Sequence, residues 1–317
     1  MSSKIAVRNI PDEIFRALET LADLHDRSTE AEARQALRAW VEPLLMKDSR
    51  NTRRKEIAKR LNLMLEQVNS YGAKLTPSHI AEIIDEEHAE DVEDWFIGDK
   101  EPSFSKLSKI ACHLGVNQDW LKHGDKTPYP LQYERLPENP VEAVEWLLNW
   151  SPTNERVKSL HLIRVDNTTG ELFIAKESEK GHFQTFNTPI HVSEEIGAGG
   201  EASLAALFVT LELLDKRDCG VIGYLPCTDD IAQLTDGNTH PGSLLGKCSR
   251  STWWADIWDA ERAPKHNYWP GWTSLHERIE RVISARPRLR ELRIRIQQGA
   301  TTMADNDSNR SLDSQGG

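Results

Sequence analysis

The sequence predicts a multidomain chain that is mainly α-helical and carries an α+β domain in its C-terminal half. Its 317 residues are about twice the length of a common domain. Apolar residues recur at helical spacing over residues 11–121, whereas short apolar runs separated by turn residues follow after residue 160. Hydrophobic residues make up 38% and charged residues 28% of the chain, a balance that allows globular cores.

Several classes of protein are excluded by what the sequence lacks. No apolar run approaches the roughly 20 residues that cross a bilayer. The N-terminus has no apolar core of a secretory signal. The cysteines have neither CxxC pairing nor zinc-ligand spacing. We therefore expect a cytoplasmic protein with no membrane partner, no metal, no cofactor and four reduced, partly buried thiols: Cys112, Cys219, Cys227 and Cys248.

The net charge of −11 is unevenly distributed. Residues 1–60 hold 13 Lys and Arg against 10 Asp and Glu, residues 61–130 hold 6 against 13, and the remainder holds 20 against 27. Only the first segment is basic, so it is the segment whose charge suits a nucleic-acid partner. The polar tail, residues 299–317, is predicted to be disordered.

The first 48 residues predict one strand and two helices. Residues 4–10 alternate between apolar and polar side chains, which is typical of a half-buried strand. Pro11, with two acids after it, suits the first turn of a helix. Thr29-x-x-Glu32 is a capping-box signal for a second helix. A lone strand and two amphipathic helices cannot bury their apolar residues in so few residues, so this unit must pair with another chain.

This order resembles the ribbon-helix-helix family, specifically its FitA/Arc-type antitoxin branch, through Arg8-Asn9-Ile10-Pro11-Asp12-Glu13 and Arg27-Ser28-Thr29-Glu30-Ala31-Glu32. The resemblance implies a homodimer whose two strands form a ribbon in the DNA major groove. It implies that Arg8 hydrogen-bonds guanine and that backbone N–H groups of the second helix clamp a phosphate. The DNA-binding residues are then Lys4, Ala6, Arg8, Asn9, Ser28 and Thr29.

Five short helices follow and resemble the helix-turn-helix of Cro and lambda repressor over about residues 58–124, through Leu75 to Ile84 and Glu101 to Leu121. In that family the third helix reads bases. Here residues 85–94 contain seven acids and no Lys or Arg, and such a cluster repels phosphates. We therefore expect that this module does not dock on DNA by its third helix. The acids either present a surface to a protein partner or are simply solvated.

The C-terminal half predicts the order β-β-β-α-β, which resembles the RNase H-like fold. That resemblance implies three metal-binding carboxylates, for which the candidates are Asp166, Glu201 and either Asp229 or Asp230. The alternative, which we favour, is that these acids stand at a turn and at helix starts. The tryptophan cluster at 253–272 is expected to fill a core. Residues 286–297 form an arginine-rich helix that could touch DNA phosphates or dock on the acidic module.

The sequence thus predicts four segments: a ribbon-helix-helix domain at 1–48, a helix-turn-helix-like domain at 55–126, an α+β domain at 140–285, and a helix and tail at 286–317. The expected function is a dimeric, sequence-specific DNA-binding regulator, by default a repressor, on a palindromic or tandem operator. We expect a bacterial, plasmid or phage regulator that is located in the cytoplasm in association with the nucleoid. One alternative is an antitoxin-like autoregulator that neutralises a nuclease toxin. The other is an RNase H-like nuclease or transposition-related enzyme; otherwise we expect no enzyme.

Overall fold

The computed structural model describes residues 7–150, 155–217 and 219–299. The N-terminal part is helical and the C-terminal part is built on a sheet. None of the described helices is both long and apolar enough to span a membrane. The helices of the N-terminal part are α1 Asp12–Leu24, α2 Thr29–Ser70, α3 Pro77–Ile83, α4 Ala89–Ile97, α5 Phe104–Leu114 and α6 Gln118–His123.

Helix α1 begins where the sequence predicts, because Pro11 is its N-cap and two acids occupy its first turn. Helix α2 also begins as predicted, but its cap differs. Ser28, not Thr29, is the N-cap, and its hydroxyl accepts a hydrogen bond from the Ala31 N–H at 3.2 Å. The capping-box interpretation of Thr29 and Glu32 is therefore wrong, since Glu32 turns back towards the preceding loop instead.

The strand predicted at residues 4–10 lies only partly within the described residues. Residues 4–6, and with them Lys4 and Ala6, lie outside the described residues. Residues 7–10 have no strand pairing within the described chain. A two-stranded ribbon takes its hydrogen bonds from a second strand, so an isolated copy has none to make.

Helix α2 runs unbroken for 42 residues, a length of about 63 Å at 1.5 Å per residue. The sequence suggests two helices separated near residues 49–54, but the helix passes through that segment. The cause is local composition: residues 50–55 hold no glycine or proline and four Lys or Arg, which are good helix formers. One rod therefore connects the N-terminal unit to the module that follows.

The five predicted helices of the middle module are present, the first being the C-terminal half of α2. Gly98 and Gly115 end α4 and α5 in left-handed backbone conformation. The apolar residues that the sequence assigns to the helical stripes form one core, with Ile57, Leu61, Ile80, Val92 and Leu107 at its centre. The resemblance of this module to Cro and lambda repressor stays a prediction.

The C-terminal part contains a six-stranded mixed sheet in the order β1-β6-β5-β4-β7-β8, and a small hairpin of β2 and β3. Its strands are β1 Leu131–Tyr133, β2 Asn149–Trp150, β3 Glu155–Arg156, β4 Ser159–Arg164, β5 Glu171–Glu177, β6 Phe183–His191, β7 Gly220–Tyr224 and β8 Arg250–Ser251. Its helices are α7 Pro140–Leu148, α8 Ala198–Asp215, α9 Thr228–Asp236, α10 Pro241–Leu245, α11 Trp253–Asp256, α12 Trp272–Ser284 and α13 Pro287–Gln297.

The predicted β-β-β-α-β order is confirmed by strands β4, β5 and β6, helix α8 and strand β7. Strands β4, β5 and β6 are antiparallel neighbours, and β7 returns parallel to β4. Helix α8 covers one surface of the sheet, where the larger core lies. The opposite surface carries a smaller core against α9 and α10.

The tryptophans fill the core as expected, since Trp253 and Trp272 are fully buried. The proline-rich segment at 127–130 is not a free linker, because Tyr129 is buried in the middle module and its N–H bonds the Gly237 carbonyl at 2.9 Å. The expectation for the thiols is half wrong, since Cys112 and Cys227 are exposed.

The middle module packs against the sheet through an aromatic cluster around His240. Tyr71, which ends α2, donates a hydrogen bond to the Glu177 carboxylate at 3.1 Å. Three rings enclose His240, with centroids 5.0 Å (Tyr71), 5.1 Å (Tyr129) and 5.3 Å (Phe183) away. His240 is 3% exposed and its Nδ1 has no hydrogen-bond partner in the described residues. Burial consequently lowers the pKa of His240 from 6.5 to about 4.

This depressed pKa predicts an acid-sensitive contact. Between pH 6.5 and about 4 the unfolded chain binds a proton at His240 and the folded chain does not. The free energy of unfolding therefore decreases by about 3 kcal/mol in total as the pH is lowered from 6.5 to about 4. The neighbouring Glu177 acts in a different window. Burial opposes ionisation, but interactions with His161, Lys158 and Tyr71 outweigh it and lower the pKa of Glu177 from 4.5 to about 2, so its stabilising effect is lost as the pH falls from 4.5 to about 2.

Urea unfolding of the full chain at pH 7.0, 5.5 and 4.5 measures this effect. We expect the acid-induced loss of stability to be smaller in His240→Gln than in the unsubstituted chain. His88→Gln, at an exposed position, controls for removal of a histidine as such. Parallel pH profiles for the unsubstituted chain and His240→Gln would contradict the prediction.

Candidate nucleic-acid interface

The described DNA-binding candidates lie on either side of helix α1 along the chain. Arg8 and Asn9 precede α1 and are exposed. Asn9 has φ of +60°, a left-handed conformation that asparagine tolerates better than most residues. Ser28 and Thr29 stand at the start of α2. The described part of the chain thus leaves the guanidinium of Arg8 and the first turn of α2 open to a ligand.

The start of α2 has the chemistry of an anion site. The first N–H groups of a helix have no acceptor within the helix, and the aligned peptide dipoles place partial positive charge there. Here the Ser28 side chain satisfies Ala31, and the Ser28 carbonyl accepts from Glu32 at 2.9 Å. These two bonds use the N–H groups of Ala31 and Glu32 and not those of Ser28 and Thr29. N–H groups at the start of a helix are the groups that bind a phosphate oxygen.

The loop between α1 and α2 is held by Glu32, a residue that the sequence pattern assigns to capping only. Glu32 is only 7% exposed, and its carboxylate lies 3.0 Å from His25 Nδ1 and 3.6 Å from an Arg27 guanidinium nitrogen. Asp26 between those two residues has φ of +53°. The interactions fix the first turn of α2 relative to α1, so the N–H groups at Ser28 and Thr29 are held in place before any ligand binds.

The same unit exposes most of its large apolar side chains. Only Ala22 and Glu32 are buried among the described residues up to 42. Leu24 is 77% and Trp40 is 73% exposed. An exposed apolar set of this size in so short a segment marks an interaction surface. Its members are Val7, Ile14, Phe15, Leu21, Leu24, Leu37 and Trp40.

A short N-terminal segment followed by two helices with an exposed apolar surface is typical of a small domain that folds by association with a second copy. Residues 4–41 match the family described as antitoxin FitA-like, ribbon-helix-helix, and the N-terminal segment is a FitA-like ribbon-helix-helix domain. The family resemblance drawn from the motifs is thereby confirmed for this segment.

Two curated proteins are similar over this segment. Putative plasmid stability protein y4jJ of Sinorhizobium fredii is 51% identical over 41 residues, which are 13% of this chain and 48% of that protein. Plasmid stability protein StbC of Pseudomonas syringae pv. tomato is 49% identical over 41 residues, 13% of this chain and 42% of that protein. The chain therefore spans less than half the length of these relatives. No solved structure gives a significant match.

The acidic segment of the middle module is partly neutralised by lysines. Lys106 lies 2.9 Å from Glu86, Lys109 lies 3.5 Å from Asp85, and Lys100 pairs with Asp91. Glu87, Glu90 and Glu93 are exposed. Four of the seven acids have no ion-pair partner in the described residues, so the outer surface of α4 remains negative.

The carboxylates of the RNase H-like alternative stand at a turn and at helix starts, as the favoured alternative predicts. Asp166 begins the turn after β4, Glu201 lies in the first turn of α8, and Asp229 and Asp230 open α9. Arg278 binds the Glu201 carboxylate through Nε at 2.6 Å. Within the described ranges, no group of three or more His, Cys, Asp or Glu side chains could hold a metal ion.

The sequence pattern leaves two buried arrangements unassigned. His240, His266 and His276 have no motif spacing, yet His240 is enclosed by three aromatic rings. His276 is buried, with its Nδ1 2.7 Å from the Ile257 carbonyl oxygen. Neither arrangement has a local signal, because the contacting residues are up to about 170 positions apart in the chain.

Proposed function

We propose that the chain is a sequence-specific DNA-binding regulator that acts as a homodimer. Two copies of residues 4–10 form an antiparallel ribbon that enters the major groove. Arg8 donates two hydrogen bonds to a guanine, Lys4 and Asn9 bind polar base edges or phosphates, and Ala6 contacts a thymine methyl. The N–H groups of Ser28 and Thr29 bind a phosphate on each side.

The observation that carries this proposal is the exposed apolar surface of a domain matched to the FitA-like family. A single copy buries almost none of its large side chains, so the unit gains a core only by association. A second copy of the same unit supplies a matching surface in the isologous manner of twofold dimers. The twofold axis then predicts a palindromic or tandem operator with one half-site per chain.

Charge distribution supports the ribbon as the DNA reader and opposes the middle module in that role. Protein–DNA affinity depends on neutralising phosphates, and the outer surface of α4 carries unpaired acids. The middle module therefore faces away from DNA and offers an acidic surface, residues 85–94, to a protein partner. Repression follows from occlusion of a promoter by the bound dimer, and such a regulator works on the nucleoid in the cytoplasm.

DNA selection from a random duplex library with the full-length protein tests the proposal. We expect a motif with twofold symmetry. Arg8→Ala should remove the motif or its most selective base, because each bidentate contact is worth about 1 to 3 kcal/mol.

Arg38→Ala is the matched control, since Arg38 is an exposed arginine on α2 about 14 Å beyond Thr29. It should keep the motif at equal ionic strength. Loss of the motif in both variants, or in neither, would overturn the assignment of Arg8.

A second candidate is an antitoxin that neutralises a toxin and regulates its own synthesis. The matched family is described as antitoxin FitA-like, and both relatives are named as plasmid stability proteins, which favours this candidate. Co-expression tests it: the chain should form a stable complex with a small nuclease toxin encoded beside it and should restore growth of cells that express the toxin. Growth arrest unaffected by co-expression would remove this candidate.

A further inference from the structure

A groove of about 1290 Å³ lies in the C-terminal half and is lined by residues of α7, α8, α13 and the end of β6. Residues 135–143 form one wall, residues 285–295 form the other, and α8 forms the floor. None of the residues proposed to bind DNA lines it. It is therefore separate from the interface described above.

The floor of the groove is smooth because the residues of α8 that face it are small. Gly199, Ala202, Ser203 and Ala206 recur at the three- and four-residue spacing of one helix surface. Small side chains on a helix allow another backbone to approach closely. Leu136, Ile190 and Leu207 add buried apolar surface beneath them.

The rim of the groove is basic. Four exposed arginines and two glutamates are its only charged residues, and none of the four arginines has an ion-pair partner within the described residues. Unpaired guanidinium groups around an apolar floor complement a ligand that is apolar on one side and carries carboxylates beside it. The four arginines are Arg135, Arg286, Arg288 and Arg295.

Hydrogen bonds hold the wall formed by α13 in place in the absence of a partner. Arg293 on its inner surface donates to Glu212 of α8 at 2.6 Å, to Glu280 of α12 at 2.5 Å and to the Trp258 carbonyl at 2.8 Å. Gln297 also binds Glu212, at 3.0 Å. The groove thus exists before a partner binds, which reduces the entropic cost of association.

We propose that this groove binds an acidic amphipathic helix of a partner protein. A helix about ten residues long is about 15 Å in length, comparable with the roughly 16 Å that the lining residues Gly199 to Thr210 span along α8. Its apolar side chains lie on the small residues of α8, and its carboxylates pair with the arginines of the rim. This is the helix-in-groove mode of recognition.

A nucleic-acid strand suits the groove less well. A sugar-phosphate backbone needs polar and cationic groups along its whole path, whereas here the cations stand at the rim and the floor is aliphatic. The proposal does not depend on the DNA-binding role of the N-terminal domain, because the two surfaces share no residue.

Fluorescence anisotropy with the full-length protein tests the proposal. The probe is a labelled synthetic helix of about fourteen residues with leucines on one side and glutamates on the other. We expect saturable binding, and at least about a tenfold rise in Kd for Arg288→Glu, since a charge pair becomes a like-charge contact.

Arg290→Glu is the matched control, because Arg290 is exposed on the same helix but does not line the groove. It should leave Kd within about twofold. Ala206→Trp, which fills the floor, should also weaken binding of the probe. Circular dichroism spectra and melting curves of all variants establish that they are folded.

Three results would overturn the proposal. The first is no saturable binding of the probe. The second is an equal rise in Kd for Arg288→Glu and Arg290→Glu, which would show charge attraction without the groove. The third is displacement of the probe by random duplex DNA together with loss of DNA affinity in Arg288→Glu, which would make the groove a nucleic-acid surface.

Discussion

Replacing Leu21 and Leu37 together by aspartate should convert the protein from a dimer to a monomer and abolish specific DNA binding. Both side chains are exposed on the single chain and belong to the apolar surface of the FitA-like domain. Burying two carboxylates in an apolar interface costs several kcal/mol for each subunit, so we expect at least a thousandfold loss of dimer affinity. Sedimentation should show a mass near 36.0 kDa instead of twice that value.

A double variant outside the domain provides the control. Leu63 and Ile97 are likewise exposed leucine and isoleucine side chains, but they belong to the middle module. Leu63→Asp with Ile97→Asp adds the same charge and should leave both the dimer and its DNA affinity intact. If the unsubstituted protein sediments as a monomer, or if both double variants dissociate equally, the apolar surface at residues 7–40 is not the dimer interface.

The largest effect on stability is expected for Arg293→Ala. Arg293 is the cation that compensates Glu212, a carboxylate only 2% exposed beneath α13. Removing one partner of a buried ion pair typically costs about 3 to 5 kcal/mol, because the other charge is left in the core. Chemical denaturation of the full chain measures the loss as a lower transition midpoint.

Two further variants distinguish the ion pair from general loss of an arginine. Arg290→Ala removes an exposed arginine from the same helix and should change the free energy of unfolding by less than about 0.5 kcal/mol. Adding Glu212→Leu to Arg293→Ala should recover much of the loss, since the orphaned charge is gone. Equal destabilisation by Arg290→Ala would show that the ion pair has no special role.

The periodicity of the sequence predicts most elements because each one carries its own signal. Helix α3 begins at a Thr-Pro capping signal, α4 ends at Gly98, and α5 begins after Ser103. The order β4, β5, β6, α8 and β7 along the chain also follows from the alternation of short apolar runs and turns, whereas the neighbour order of the strands in the sheet does not. The continuity of α2 could not be predicted in this way, since the helix crosses residues 49–54 without an apolar stripe.

The candidate site is predictable only in part, for a different reason. Arg8 and Ser28 are found through motifs within a few residues of each other in sequence. The role of Glu32 in holding the α1–α2 loop depends on side-chain geometry and has no pattern of its own. The arginine-rich helix was visible in the sequence, whereas the groove beside it needs residues from three distant helices.

Site-specific photo-crosslinking to the selected operator tests most directly whether the ribbon reads DNA. A photo-reactive amino acid is placed at Ala6 in one preparation and at Glu90, on the exposed surface of α4, in another. We predict crosslinks from position 6 to bases in each half-site and none from position 90. Crosslinks from position 90 without crosslinks from position 6 would contradict this account and make the middle module the reader.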